Sequence, residues 1–271
     1  MLPSSQIEEW LAHARALKGD LPRYIPALLK VHPYEAGITW LAETEDPNGI
    51  AAYGCADHFV PLMSLMKPFL LQYVFDNFGA AAVTSLVRDE ALHNSYQEIP
   101  QGKPANAMVN GGAIALCELL PSSEPIRQWL NCPIDQELLE SVRQNQSRPN
   151  LAIAHALGKS KLSSDPDQAL ARYEELCCMV MTPRQLVQQS QLLRNQIVLE
   201  TIRRHGMYRH FPSNIPCKSA VSGLLLAKIP LWGSIVTYCP PLDQWGHSVG
   251  GQFLLTKFLE TTGIAPLLYS D

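Results

Sequence analysis

The chain has 271 residues, enough for one large domain or two closely built lobes around a buried core. Hydrophobic residues make up 46% and charged residues 17%, a composition typical of folded proteins that argues against intrinsic disorder. The formal net charge of -4 excludes the basic balance expected of a protein that binds nucleic acid or anionic membranes.

The first residues lack the basic and apolar regions of a signal peptide, so we expect none. The most apolar stretch, residues 220–239, is interrupted by Lys228, Pro230 and Gly233, which favours two strands and not a membrane span. Seven cysteines are scattered without a Cys-x-x-Cys pattern, so free thiols in a reducing cytoplasm are expected. The eight histidines show no metal-ligand spacing, and no metal or cofactor is predicted.

The first predicted elements are a helix and a hairpin. Residues 5–17 carry apolar side chains at helical spacing. A turn signal at residues 46–49, Asp-Pro-Asn-Gly, joins two extended segments, 37–42 and 50–53, into a predicted hairpin.

From residue 61 to residue 78, apolar residues recur at the spacing of a helix. Pro68 is acceptable only near the start of a helix, because further in it would remove a backbone hydrogen bond. Ser64 is therefore predicted near the helix start, where unpaired backbone N–H groups cluster.

The remainder is predicted to be mainly helical until the last third of the chain returns to strands. The predicted helices span 109–120, 135–143, 151–157, 166–180 and 183–205, and they are followed by strands at 220–228 and 231–238 and a closing helix at 252–261. This order predicts a sheet lobe from residues 18–60 and 206–271, with a helical lobe of residues 61–205 inserted within the single domain 1–271. A cleft between the lobes is the natural place for a site.

The most informative motif is Ser64-Leu-Met-Lys67, which puts a hydroxyl and an amine on one helix face. A serine hydroxyl is a poor nucleophile until a neighbouring base takes its proton. An amine can serve only if burial or nearby cations disfavour its charged form. Alone, this spacing occurs by chance, and a solvated helix face is its default interpretation.

A second lysine block, Lys218-Ser219-Ala220, opens the predicted strand downstream and changes that interpretation. Serine penicillin-recognising enzymes combine Ser-x-x-Lys at a helix start with a Lys-Thr-Gly-like block on the adjacent strand. The chain resembles them, which implies a serine β-lactamase/DD-peptidase-like α+β fold, a mainly antiparallel sheet flanked by helices with an inserted helical lobe.

A more specific resemblance is to the serine-dependent glutaminases, whose blocks occur here in family order over roughly residues 19 to 260. The matching blocks are Tyr24-Ile-Pro-Ala-Leu28, His93-Asn-Ser95, Asn106-Ala-Met-Val-Asn110-Gly-Gly-Ala-Ile114, Gly206-Met-Tyr208, Cys217-Lys-Ser-Ala-Val221, Pro240-Pro-Leu-Asp243 and Gly246-His-Ser248. The resemblance implies hydrolysis of a carboxamide through an acyl-serine, with glutamine giving glutamate and ammonia in the family.

The resemblance also implies roles for individual residues. Ser64 matches the nucleophile and Lys67 its proton acceptor, while Tyr24 and Tyr208 match tyrosines that move protons at the reacting centre. The backbone N–H groups of Ser64 and Val221 match the oxyanion hole. The substrate-binding positions correspond to Asn110, Asn150 and Tyr173.

Two substrate-facing positions depart from the family. Met63 stands where a Gln usually precedes the nucleophile, and Arg143 stands where a Glu faces the substrate's amino group. A cation there would repel a substrate ammonium. Either Glu140 substitutes through a shift of the helix, or the substrate lacks an α-amino group and Arg143 reads an anionic or neutral head.

Three functions therefore compete: an amidohydrolase, a penicillin-binding or β-lactamase-type enzyme, and a non-catalytic homologue that binds a ligand. The retained tyrosine, asparagine and proline blocks favour the first. The expected partner is a small-molecule amide, with no nucleic acid and no membrane, and the resemblance implies a homodimer or homotetramer in the cytoplasm.

Overall fold

The structure is a computed structural model that describes residues 2–43, 49–91, 97–145, 148–207 and 215–264. Its helices are α1 (Ser4–Ala16), α2 (Met66–Leu86), α3 (Asn110–Cys117), α4 (Glu124–Leu130), α5 (Gln136–Gln144), α6 (Arg148–Lys159), α7 (Pro166–Cys177), α8 (Pro183–Gln189), α9 (Gln196–His205) and α10 (Val249–Thr262). Short 3-10 helices lie at Pro26–Lys30, Met63–Leu65 and Ser190–Leu192. The strands are β1 (Gly37–Ala42), β2 (Ala51–Gly54), β3 (Val60–Pro61), β4 (Val180–Met181), β5 (Cys217–Ser219), β6 (Leu224–Ile229) and β7 (Gly233–Tyr238).

The main sheet joins the two ends of the chain, in the order β2-β1-β7-β6-β5, and its pairs are antiparallel. The hairpin predicted from residues 37–42 and 50–53 forms, with Ile38 opposite Tyr53. The antiparallel sheet with helices between its two halves, predicted from the sequence, is confirmed.

Both faces of the sheet are covered, so every residue of β6 and β7 is buried instead of every second one. Leu224 and Leu226 pack into the core built on α2, α3 and α7. Leu225 and Ala227 point to the other face, into the core formed with α1 and α10. No helix in the described ranges is long and apolar enough to cross a membrane.

The predicted strand 220–228 is wrong at its start, because residues 220–223 form a turn between β5 and β6. Ala220 N donates to Leu224 O, and Gly223 N donates to Ala220 O. Gly223 has φ +94°, a left-handed conformation that glycine adopts without a steric penalty. Lys218 consequently lies within its own edge strand, β5, and not at the opening of a long strand.

The helix predicted over 183–205 is broken into α8, a 3-10 turn and α9. Gln72 of α2 is buried, and its Oε1 accepts hydrogen bonds from the backbone N–H groups of Arg194 and Asn195. Asn195 then caps α9 by accepting from Ile197 N. The helix predicted over 166–180 also ends early, at Cys177, because Val180 pairs with Pro61 in the small sheet of β3 and β4.

Candidate active site

Ser64 is placed by the joint between a short strand and a long helix. Leu62 N donates to Met179 O at 2.8 Å, which ties the end of β3 to the segment after α7. Met63 then adopts φ 46°, an uncommon value for a residue with a side chain. Ser64 follows in the 3-10 turn that leads into α2, so the hydroxyl lies at a helix N-terminus, which favours negative charge.

Two cavities meet at Ser64 and Val221. The larger, about 270 Å³, brings these two residues together with Lys67, Lys218 and His247. The smaller, about 80 Å³, is lined by most of the predicted substrate residues. Those residues are Tyr24, Met63, Asn110, Asn150 and Tyr173.

Lys67 is 1% exposed, and burial lowers the pKa of its amine to about 8. Its Nζ donates to Met108 O at 3.1 Å and to Asn110 Oδ1 at 2.7 Å. Among the described residues, Lys67 Nζ and Ser64 Oγ form no hydrogen bond with each other, although both residues line the larger cavity. Such catalytic contacts commonly tighten only when substrate is bound.

Asn110, the first residue of α3, links the amine to the smaller cavity. Its Oδ1 also accepts from Tyr173 OH at 3.2 Å, and its Nδ2 donates to Asn150 Oδ1 at 2.8 Å. Gly112 allows this placement, since a Cβ there would lie 1.9 Å from Asn106 O. One buried amide therefore connects Lys67, Tyr173 and Asn150.

The backbone N–H groups of Ser64 and Val221 have no hydrogen-bond acceptor within the described part of the chain. Ser64 lies at the start of a helix and Val221 in the turn before β6, and both line the two cavities. Two N–H groups that donate to one oxygen can stabilise the oxyanion of a tetrahedral intermediate, and this role of Ser64 and Val221 stays a prediction.

Arg143 is not brought into either cavity. Its side chain is 46% exposed and contacts Glu175 Oε1 at 3.1 Å and Glu174 Oε2 at 3.9 Å. Glu140, the alternative carboxylate, lies on the same outer side and accepts from Gln144 Nε2. Tyr208 and the His93–Ser95 block fall outside the described residues.

Lys218, Ser219 and His247 line the larger cavity, although the sequence-based site did not include them. Lys218 is 7% exposed, and burial followed by the charge of Lys67 holds the pKa of its amine well below the ordinary value. His247 Nδ1 and Ser219 Oγ form a buried hydrogen bond of 2.5 Å in the larger cavity. The lysine block pointed to Lys218 and Ser219, and the Gly246-His-Ser248 block contained His247, but the resemblance assigned His247 no role.

Glu174, also missed, lines the smaller cavity and is 3% exposed. Nothing in the local sequence indicated that, of the adjacent residues Glu174 and Glu175, Glu174 is the one buried in the interior.

A group that could hold a metal ion lies elsewhere, at the start of β1 and the end of β2. The ligand atoms of Glu35, Cys55 and His58 lie within 4.8 Å of one another. Glu35 Oε2 already accepts a hydrogen bond from Tyr238 OH. None of the three lines either cavity at Ser64.

The fold and the site define a class of protein. The serine β-lactamase-like fold combines an antiparallel sheet and interposed helices with a serine at a helix start that shares a cavity with two buried lysines. The glutaminase family model matches residues 19–265. The chain belongs to the glutaminase family.

Relatives agree with this assignment. The glutaminase of Synechocystis sp. is 34% identical over 301 aligned positions, covering 96% of this chain and 90% of the relative. The glutaminase of Bordetella avium is 28% identical, covering 93% and 92%. A probable glutaminase from Bacillus subtilis, solved with 6-diazo-5-oxo-L-norleucine, has the same fold, with a TM-score of 0.82, 22% identity and 96% of each chain covered.

Proposed function

We propose that this chain hydrolyses the side-chain amide of glutamine to glutamate and ammonia through an acyl-Ser64 intermediate. The observation that carries the proposal is the position of Ser64 between two cavities. One cavity holds the amines of Lys67 and Lys218, and the other is lined by the amides of Asn110 and Asn150.

In the first half-reaction, Ser64 Oγ attacks the amide carbon and its proton passes to the neutral amine of Lys67. The carbonyl oxygen becomes an oxyanion facing the N–H groups of Ser64 and Val221. Lys67 then returns the proton to the amide nitrogen, the carbon–nitrogen bond breaks, and ammonia leaves an ester on Ser64.

In the second half-reaction, water attacks the ester carbon and gives a proton to Lys67, which returns it to Ser64 Oγ as glutamate leaves. Tyr24 lines the smaller cavity, from which its hydroxyl could assist these proton transfers, and Tyr208 is assigned the same part by the sequence resemblance alone. Asn110, Asn150 and Tyr173 are proposed to hold the substrate, and Met63 contributes an apolar wall.

The test is ammonia release from glutamine and from a panel of other ω-amides by wild type and Ser64→Ala. Loss of the nucleophile is expected to reduce turnover by about 10⁴-fold or more. Ser85→Ala is the matched control, because Ser85 is an exposed serine at the far end of α2 whose hydroxyl donates to Ala82 O.

Each competing function has a different outcome in this experiment. Covalent labelling of Ser64 by a β-lactam, without ammonia release, would support a penicillin-binding activity. Turnover only of amides without an α-amino group would support a divergent substrate. No ammonia from wild type with any amide would overturn the hydrolase proposal in favour of a binding protein.

The two-lobed division at residues 60 and 206, a homodimer or homotetramer, and a cytoplasmic location are proposals as well. The seven cysteines are all free, which is consistent with a reducing compartment. Light scattering of the purified protein would give the oligomeric state.

A further inference from the structure

A mixed set of metal-binding side chains lies where the start of β1 meets the end of β2. The set consists of Glu35, Cys55 and His58, whose ligand atoms all lie within 4.8 Å of one another. A carboxylate, a thiolate and an imidazole all bind Zn²⁺ in proteins, whereas Mg²⁺ and Ca²⁺ prefer oxygen ligands alone. None of the three residues lines either cavity at Ser64, so this site does not depend on the proposed function.

Strand pairing brings Glu35 and Cys55 together. Gly37 of β1 pairs with Gly54 of β2, and just beyond this pair Cys55 N donates to Ala36 O at 2.9 Å. Glu35 immediately precedes Ala36 in the chain. The carboxylate and the thiol therefore meet at the same corner of the sheet, although 20 residues separate them in the sequence.

His58 reaches the same corner on the turn that follows Cys55, and the start of α8 holds this turn in place. Arg184 N donates to Ala56 O at 3.1 Å. The Arg184 guanidinium also donates two hydrogen bonds to the Asp57 carboxylate, of 2.7 and 3.0 Å. Ligands carried on a fixed segment are positioned before an ion arrives, which favours binding.

The spacing of the carboxylate and the imidazole suits a shared metal ion. His58 Nδ1 lies 3.6 Å from Glu35 Oε1, which is beyond hydrogen-bond distance. Nitrogen and oxygen ligands bound tetrahedrally to zinc at about 2.0–2.2 Å lie about 3.3–3.6 Å from each other. These two atoms are therefore already spaced as ligands of one zinc ion would be.

The other oxygen of Glu35 is held by a buried tyrosine. Tyr238 of β7 is 1% exposed, and its hydroxyl donates to Glu35 Oε2 at 2.8 Å. Carboxylates that bind a metal are commonly oriented by such a hydrogen bond, which also tunes their affinity for the ion. The contact fixes the carboxylate with Oε1 on the side of His58.

We propose that Glu35, Cys55 and His58 bind one zinc ion, with water as the fourth ligand of a tetrahedral site. The His58 side chain is 55% exposed, so the ion can reach the site from solvent. The thiol of Cys55 releases its proton to solvent as the thiolate binds. Bound zinc stabilises the folded chain, because the unfolded chain does not hold the three ligands together.

The test is a titration of the purified, metal-free chain with Co²⁺ and then with Zn²⁺. A thiolate bound to Co²⁺ gives a charge-transfer absorption band, and Zn²⁺ should displace the Co²⁺ because it binds such ligands more tightly. Calorimetric titration with Zn²⁺ measures the affinity and should give one ion per chain. The unfolding temperature should rise when Zn²⁺ is present.

Removal of a ligand should abolish tight binding. Cys55→Ser and His58→Asn should each weaken Zn²⁺ binding by more than about 100-fold, and Cys55→Ser should also remove the charge-transfer band. Tyr238→Phe keeps all three ligands and should weaken binding by about 10- to 100-fold, the scale of a lost hydrogen bond to a metal ligand. Because His58 is exposed, the metal-free His58→Asn variant should unfold at the wild-type temperature.

His155→Asn is the matched control. The His155 side chain is also 55% exposed, and its Nε2 lies 3.7 Å from Asp167 Oδ1, but this pair belongs to no group of three metal-binding side chains among the described residues. This variant should bind Zn²⁺ as tightly as wild type. Wild-type affinity in Cys55→Ser or His58→Asn, or no saturable Zn²⁺ binding by wild type, would overturn the proposal.

Discussion

Lys67 Nζ donates a 2.7 Å hydrogen bond to Asn110 Oδ1, joining the start of α2 to the start of α3 in the buried interior. The same oxygen accepts from Tyr173, and the amide nitrogen of Asn110 donates to Asn150. The predicted base and the predicted substrate residues thus share one side chain, so a change at Asn110 affects both.

Asn110→Ala should destabilise the protein by about 1–3 kcal/mol, because it removes the acceptor of a buried amine and of a buried phenol. It should also lower kcat/KM for glutamine, since Lys67 would lose its orientation. Urea unfolding and steady-state kinetics measure the two effects. Tyr173→Phe is the comparison, because it removes one hydroxyl and should cost about 1 kcal/mol. Equal destabilisation by the two substitutions would contradict the central position of Asn110.

The activity should depend on pH through Lys67. Burial lowers the pKa of this amine to about 8, and a general base must be neutral to accept the serine proton. Because the neutral form predominates above the pKa, kcat/KM should rise as the pH increases through about 8 and then level off. The measurement is a profile of kcat/KM against pH on the acid side.

Lys67→Arg is the matched variant for this profile. A guanidinium keeps the positive charge but does not deprotonate in a protein, so the variant should be inactive at every pH. An acid limb in wild type near the ordinary lysine value, or no limb at all, would contradict the assignment of Lys67 as the base.

Met63, the residue before the proposed nucleophile Ser64, gives a prediction about stability. Met63 has φ 46°, where a residue with a side chain is disfavoured by roughly 1–2 kcal/mol relative to glycine. Both Met63→Gly and Met63→Ala lose a buried side chain, but the glycine variant should be the more stable by about 1 kcal/mol.

Met66, also buried, lies in the same segment with φ −66° and is the control. There Met66→Gly should be less stable than Met66→Ala by about 1 kcal/mol, the usual order in a helix. Thermal or urea unfolding of the four variants makes the comparison. The same order of stability at both positions would show that Met63 is not strained.

Much of the fold could be predicted because it follows from local patterns. The spacing of apolar residues changes along the chain from every second residue to helical spacing and back. This change placed β1, β2, β7 and most helices near their observed bounds. Pro68 restricted Ser64 to the start of α2. The β5–β6 turn was missed because the run 220–228 is mostly apolar, and Ser222-Gly223 within it was not taken as a turn signal.

The parts of the site that were missed depend on contacts between distant segments. The break before α9 is fixed by Gln72, which lies more than 100 residues earlier. Its side chain accepts hydrogen bonds from the backbone N–H groups of Arg194 and Asn195. Likewise, Glu174 and Glu175 are adjacent and chemically identical. Only the packing of α7 against α3 and α6 decides which of them faces the interior.

The junction of two cavities at Ser64 has a consequence for the order of events during turnover. Under the proposed function, an amino acid bound in the cavity lined by Asn150 would leave the cavity lined by Lys67 for departing ammonia. Water could then reach the ester through the cavity lined by Lys67, while the acyl group stays bound in the cavity lined by Asn150. Such a through-route would let deacylation begin without any repositioning of the bound half of the substrate.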